Sequence, residues 1–177
     1  MLRVLALSVL VAAPAAAQSP GLSFPFDATG QAALETGLDL AAAALANSLV
    51  LSRDAAWQAG TRPIPPQIRA ALLAWYPADL LDGIEYRSGI AEDSTLQSLA
   101  IRYGEANAIT LIDTIVFADP QAAETDIALW AHEVKHVEQV QRWGLMGFAQ
   151  AYVRDHQAVE DEAYAIGNAV KAIHGGG

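Results

Sequence analysis

Leu129-Trp130-Ala131-His132-Glu133-Val134-Lys135-His136-Val137-Glu138-Gln139-Val140 decides how the rest of the chain is read. Two histidines stand four positions apart, with a glutamate directly after the first. Around them Leu129, Val134, Val137 and Val140 can pack inward from a helix. Four residues of α-helix turn through about 400°, so the two imidazoles differ by about 40° in direction and by one turn in height. They can then take two adjacent corners of a tetrahedral zinc site. Glu133 lies about 100° beyond His132, beside the metal, where a carboxylate can accept a proton from water held there. The spacing divides the labour: His132 and His136 as ligands, Glu133 as general base.

A catalytic zinc takes three protein ligands and leaves one position open. The chain has no cysteine, so a thiolate is excluded. Gln139 and Arg142 stand where a metzincin-type extension would place its glycine and third histidine. The third ligand is therefore sought further on, among Asp155, His156, Glu160, Asp161 and Glu162. In a helix there, Glu160, Ala163, Tyr164 and Gly167 share one face. The small residues Ala163 and Gly167 suit close packing against the histidine helix, which favours Glu160 as ligand. Glu162 points about 200° away and ranks second, His156 third. Tyr164, one turn beyond Glu160, is a candidate catalytic phenol donating to a developing oxyanion, with Tyr152 and His156 as alternatives. Lys135 flanks the ligand face and disfavours a dication unless it reaches solvent or pairs with an acid. Trp143 falls on the ligand side two turns further on, either as pocket wall or as core.

Composition narrows the rest. With 177 residues, 53% hydrophobic and 17% charged, the chain has ample apolar material for a core. Its 10 Lys+Arg against 20 Asp+Glu give a net charge of −10, which argues against nucleic acid as a partner. Residues 1–17 read as a secretory signal peptide: Arg3, an apolar core at Val4–Ala13, the helix breaker Pro14, then Ala15-Ala16-Ala17. The mature protein is expected to be secreted or periplasmic. Leu40–Leu51, between Asp39 and Arg53, is short for a membrane span and reads as a core helix, with no stable membrane insertion after signal removal.

Residues 18–60 form a Pro- and Gly-punctuated leader followed by an Ala/Leu-rich helix over 31–58, either an inhibitory prosegment or an integral wall. Pro66 opens a further helix and Ala78–Asp82 a short one. Ile84-Glu85-Tyr86-Arg87 alternates as a strand does. The β-branched stretch Ala108–Phe117 suggests a hairpin turning near Asp113-Thr114. Asp119-Pro120, or Thr125 and Asp126, can start the histidine helix, which Gly144 ends; helices near 145–155 and 158–173 follow.

Several stretches together resemble the DUF4157 family: Ile64-Pro65-Pro66-Gln67-Ile68-Arg69, Tyr76-Pro77-Ala78-Asp79-Leu80-Leu81, Ile84–Arg87, Ala108–Phe117, Leu129–Gln139, Trp143-Gly144, Phe148-Ala149, Tyr152 and Val159–Tyr164. The resemblance covers roughly 62–168. It implies a minimal gluzincin-like metallopeptidase domain over 61–174, in an α+β, mostly helical fold with a small antiparallel sheet behind an extra N-terminal helix. It also implies zinc held by His132, His136 and Glu160, with Glu133 as base and a peptide or protein as substrate. Family members also occur beside toxin and injection modules, which implies the alternative of a zinc-binding module without turnover that docks a protein partner. Lys135 and Glu138 depart from the usual uncharged helix of such enzymes.

Overall fold

A computed structural model describes residues 28–89 and 107–174. The expected signal peptide at 1–17 and leader residues 18–27 lie outside these ranges. In chain order the elements are α1 (Ala28–Gln58), β1 (Arg62–Pro63), α2 (Pro66–Leu72), α3 (Ala78–Asp82), β2 (Glu85–Ser88), β3 (Ala108–Leu111), β4 (Thr114–Phe117) and α4 (Pro120–Thr125). The helical stretch Ile127–His174 follows. Non-helical backbone at Gly144 and Asp155 divides it into α5 (127–143), α6 (145–154) and α7 (156–174).

The chain is α+β and mostly helical, as its periodicities predict. The sheet departs from expectation in one respect: it is mixed, in the order β1-β2-β4-β3, with β2 parallel to β4 and the other two pairs antiparallel. The chain leaves β2, skips a place to lay down β3 at the sheet's end, and the hairpin returns β4 into the gap. Strand alternation reports which residues face the core, not the order in which strands sit. β4, flanked on both sides, is buried at all four positions.

The hairpin turns at Ile112-Asp113, where Ile112 takes a φ of 66° that a β-branched residue rarely adopts. A bidentate ion pair from α1 holds this turn: Arg53 Nε and Nη2 donate to the two Asp113 carboxylate oxygens at 2.7 and 2.6 Å. Both expected helix starts are used. Asp119 caps α4 through the Gln121 N–H, and Asp126 caps α5 through the Leu129 N–H, each at 2.9 Å. Gly144, at φ 73°, closes α5.

The core has two parts. One joins α2, α3 and the sheet to α5, with Tyr86, Phe117 and Trp130 in mutual ring contact. The fully buried Trp130 indole donates to the Ala123 carbonyl at 2.8 Å, and Tyr76 donates to the carbonyl of Ala131 at 2.6 Å, one residue before His132. The other part packs Ala42, Leu45, Ala46 and Leu49 of α1 against Leu111, Val116, Phe148, Tyr152 and Val159. The apolar run Leu40–Leu51 thus belongs to a 31-residue helix, long and apolar enough by length and composition to cross a bilayer. One stripe of that helix is nevertheless an integral wall of the core, which favours the wall over the removable prosegment.

Candidate metal centre

α5 delivers His132, Glu133 and His136 to its buried side, all three nearly inaccessible to solvent. α7 crosses α5 closely beside them. A Cβ on Gly167 would stand 3.2 Å from the Ala128 carbonyl oxygen and 3.4 Å from His132 Cβ, tight enough to push the two helices apart by a few tenths of an ångström. One and two turns earlier on α7 are Ala163, fully buried, and Glu160, whose carboxylate reaches both imidazoles. The distances are 3.2 Å between the two Nε2 atoms, 3.4 Å from His132 Nε2 to Glu160 Oε2, and 3.6 Å from His136 Nε2 to Glu160 Oε1.

These three residues can hold a metal ion. Tetrahedral ligation with bonds of about 2.0–2.2 Å spaces neighbouring donor atoms about 3.3–3.6 Å apart. The two Nε2 atoms, 3.2 Å apart, and the nearer Glu160 oxygen of each imidazole, at 3.4 and 3.6 Å, lie close to that spacing, and one donor atom from each residue falls within 4.8 Å of the others. Glu160 Oε2 is buried with no hydrogen-bond partner among the described residues, although it faces His132. A carboxylate oxygen stranded in this way is costly unless a cation satisfies it.

Charge at the centre follows from the same contacts. Burial works against ionisation of Glu160, but the imidazoles of His132 and His136 beside it outweigh that and hold the carboxyl down to about 2. Burial likewise opposes protonation of His136, yet the neighbouring carboxylates of Glu160 and Glu133 raise its pKa. Each group thus favours the charged form of the other: the carboxylate draws a proton to the imidazole, and the imidazole keeps the carboxyl ionised.

The remaining candidates fall around this cluster. Glu133 lines an open cavity of about 60 Å³, together with His136, Glu160, Tyr152, Phe148, Leu45 and Leu49. The Thr110 hydroxyl, on β3, stands 2.8 Å from Glu133 Oε2 and fixes its direction. Tyr164 sets its ring edge-on to His132, centroids 4.9 Å apart. Tyr152, the alternative phenol, lines the cavity and donates to Glu160 Oε1 at 3.1 Å. Glu162 points to the other side, where Arg142 binds it at 2.8 Å. Asp155 caps α7 through the Ala158 N–H, and Asp161 accepts from Gln157; neither joins the cluster. His156 is exposed against the Tyr152 ring. Lys135 pairs with Glu138, with Glu162 at 3.9 Å, so its charge is turned from the dication position. Trp143 packs in the α1 side of the core under the Arg142 guanidinium.

Four residues were not assigned these parts by the sequence: Thr110, Leu45 and Leu49 of α1, and Gln139, whose amide meets His136 Nδ1 at 2.9 Å. Gln139 had a readable signal, since it sits three positions after His136 on the same buried face. Thr110 and the leucines arrive from distant elements, and no spacing rule reports them.

Fold and site together define an α+β protein with a buried two-histidine, one-carboxylate cluster fit for a cation. Residues 63–144 match the family model of the eCIS core domain, a family of the DUF4157 type, over just under half of the chain. The match includes His132, Glu133 and His136 and stops before Glu160. No curated protein and no solved structure matches the chain.

Proposed function

We propose that this chain is an exported, zinc-dependent metallopeptidase-like protein that hydrolyses peptide bonds, its metallopeptidase domain spanning 61–174. The observation that carries the reading is the spacing of the two Nε2 atoms and the Glu160 carboxylate, with Glu133 beside them at an open cavity. Zinc held by His132, His136 and Glu160 would polarise a scissile carbonyl and make water acidic enough to attack it. With zinc held there, the Glu133 carboxylate would be the group to take up the proton of the attacking water and hand it to the leaving amine. Thr110 holds that carboxylate in place. β3 is the end strand of the sheet, and Ala108, Ile109 and Thr110 line the cavity, which suits an extended peptide adding along that edge. Leu45, Leu49, Ile109 and Phe148 give the neighbouring subsite an apolar lining. A phenol at the cavity, Tyr152, or the more distant Tyr164, supplies the oxyanion donor.

Replacing Glu133 by Gln is expected to leave zinc content at one per chain and to slow cleavage of a peptide library by about 10²–10⁴-fold. Cleavage at the wild-type rate would overturn the assignment of the base. The eCIS core domain match favours a second reading, a zinc-holding module without turnover that docks a protein of a toxin or secretion assembly. Stoichiometric zinc in a wild-type protein that cleaves no member of the library would select it.

A further inference from the structure

We propose that Gln139 is a positioning residue: it fixes His136 in the tautomer that can bind a metal and ties the histidine helix to the helix of Glu160. This rests on the metal-centre reading but draws on separate contacts. The side chain is fully buried. Its Nε2 lies 2.9 Å from the Val159 carbonyl oxygen and 3.3 Å from Glu162 Oε2. A backbone carbonyl only accepts hydrogen bonds, and so does an ionised carboxylate. The amide NH₂ must therefore face those two oxygens, and its oxygen must face the other way.

That oxygen meets His136 Nδ1 at 2.9 Å. An amide oxygen has no proton to give, so Nδ1 carries one. On the neutral ring the lone pair then sits on Nε2, the atom facing His132 Nε2 and Glu160 Oε1. The far end of the relay is itself held, because Arg142 grips Glu162 through both carboxylate oxygens, at 3.1 and 2.8 Å. Glu162 thus anchors the amide. Val159 immediately precedes Glu160, so one side chain governs both the nitrogen that His136 offers and the place where α7 presents its carboxylate. His132 receives no such help: its buried Nδ1 has no hydrogen-bond partner among the described residues.

The test uses ¹⁵N-labelled protein without metal, at a pH where the His136 ring is neutral, together with zinc affinity measured by competition with a chelating dye. Long-range ¹H–¹⁵N spectra of the wild type are expected to show His136 protonated on Nδ1. Gln139→Leu, close in size but without polar atoms, is expected to mix the tautomers and weaken zinc about 10–100-fold. Gln139→Glu keeps an acceptor for Nδ1 but sets an acceptor against Val159 and Glu162; it should hold the tautomer while still losing affinity. A wild-type ring protonated on Nε2 overturns the proposal, as does a folded Gln139→Leu with unchanged tautomer and affinity. Should Gln139→Leu not fold, the wild-type spectrum and Gln139→Glu decide. The tautomer is read without metal, so a wild type that takes no zinc would sink the metal-centre reading and leave this assignment standing.

Discussion

His136 sets the pH behaviour of the centre. Glu160 and Glu133 hold its imidazole protonated above the ordinary value of 6.5, and a protonated ring has no lone pair for a cation. Zinc uptake at a pH below the raised value is therefore expected to release a proton from His136, with affinity rising as pH climbs through that value. Calorimetry in buffers of differing ionisation heat measures the release; heats independent of buffer would contradict it. The same ion pair stabilises the metal-free fold. On the imidazole side that contribution is full below about 6.5 and is lost as pH rises through the raised value. On the Glu160 side it is full above the ordinary 4.5 and is lost as pH falls through about 2. The three residues of the cluster were legible because a helix fixes its own spacing, and because Ala163 and Gly167 marked a face made for close approach. The part of Thr110 was not, since its contact with Glu133 is made across elements, and Tyr152 was legible as a candidate phenol but not as the donor to Glu160.

At the scale of elements, α1 is the wall that the histidine motif does not announce. Leu49 is buried, yet it borders an open cavity, so its truncation enlarges existing space and adds little new void. Leu49→Ala is expected to cost about 2 kcal/mol, the low end for such a change, by urea denaturation. A cost above about 4 kcal/mol would mean the cavity wall is packed far more tightly than its lining implies. The Arg53–Asp113 pair is about one-third exposed at each end, but it is bidentate and it secures the strained Ile112 turn. Arg53→Ala is expected to cost about 1 kcal/mol, screened in part by salt. Sequence periodicity located this helix within a few residues at its start and matched its end. It said nothing of the partners of α1 or of the parallel β2–β4 pairing, which depend on the order in which strands come together.

Across the whole molecule, the two histidines and Glu160 belong to helices separated by two backbone breaks, so a cation at the cluster would fasten α5 to α7. Ligands that bind only the folded state stabilise it by about 2.7 kcal/mol at a hundredfold excess over Kd. Zinc at that excess is expected to raise the melting temperature by roughly 5–10 °C. The gain should vanish with His136→Ala and reverse on adding chelator. An unchanged melting curve with zinc would argue that the cluster is an ion pair alone.

Gly144 ends both α5 and the stretch that matches the eCIS core domain, while Glu160, Phe148, Tyr152 and the α1 leucines all lie outside that stretch. A graft of 63–144 into a foreign scaffold would import two imidazoles and a buried acid stripped of their counterweight. The exchangeable unit in this architecture accordingly includes α1 and α7 as well, and a hybrid joining the front of one relative to the back of another keeps the cluster only if the borrowed rear half returns a carboxylate to the same spot.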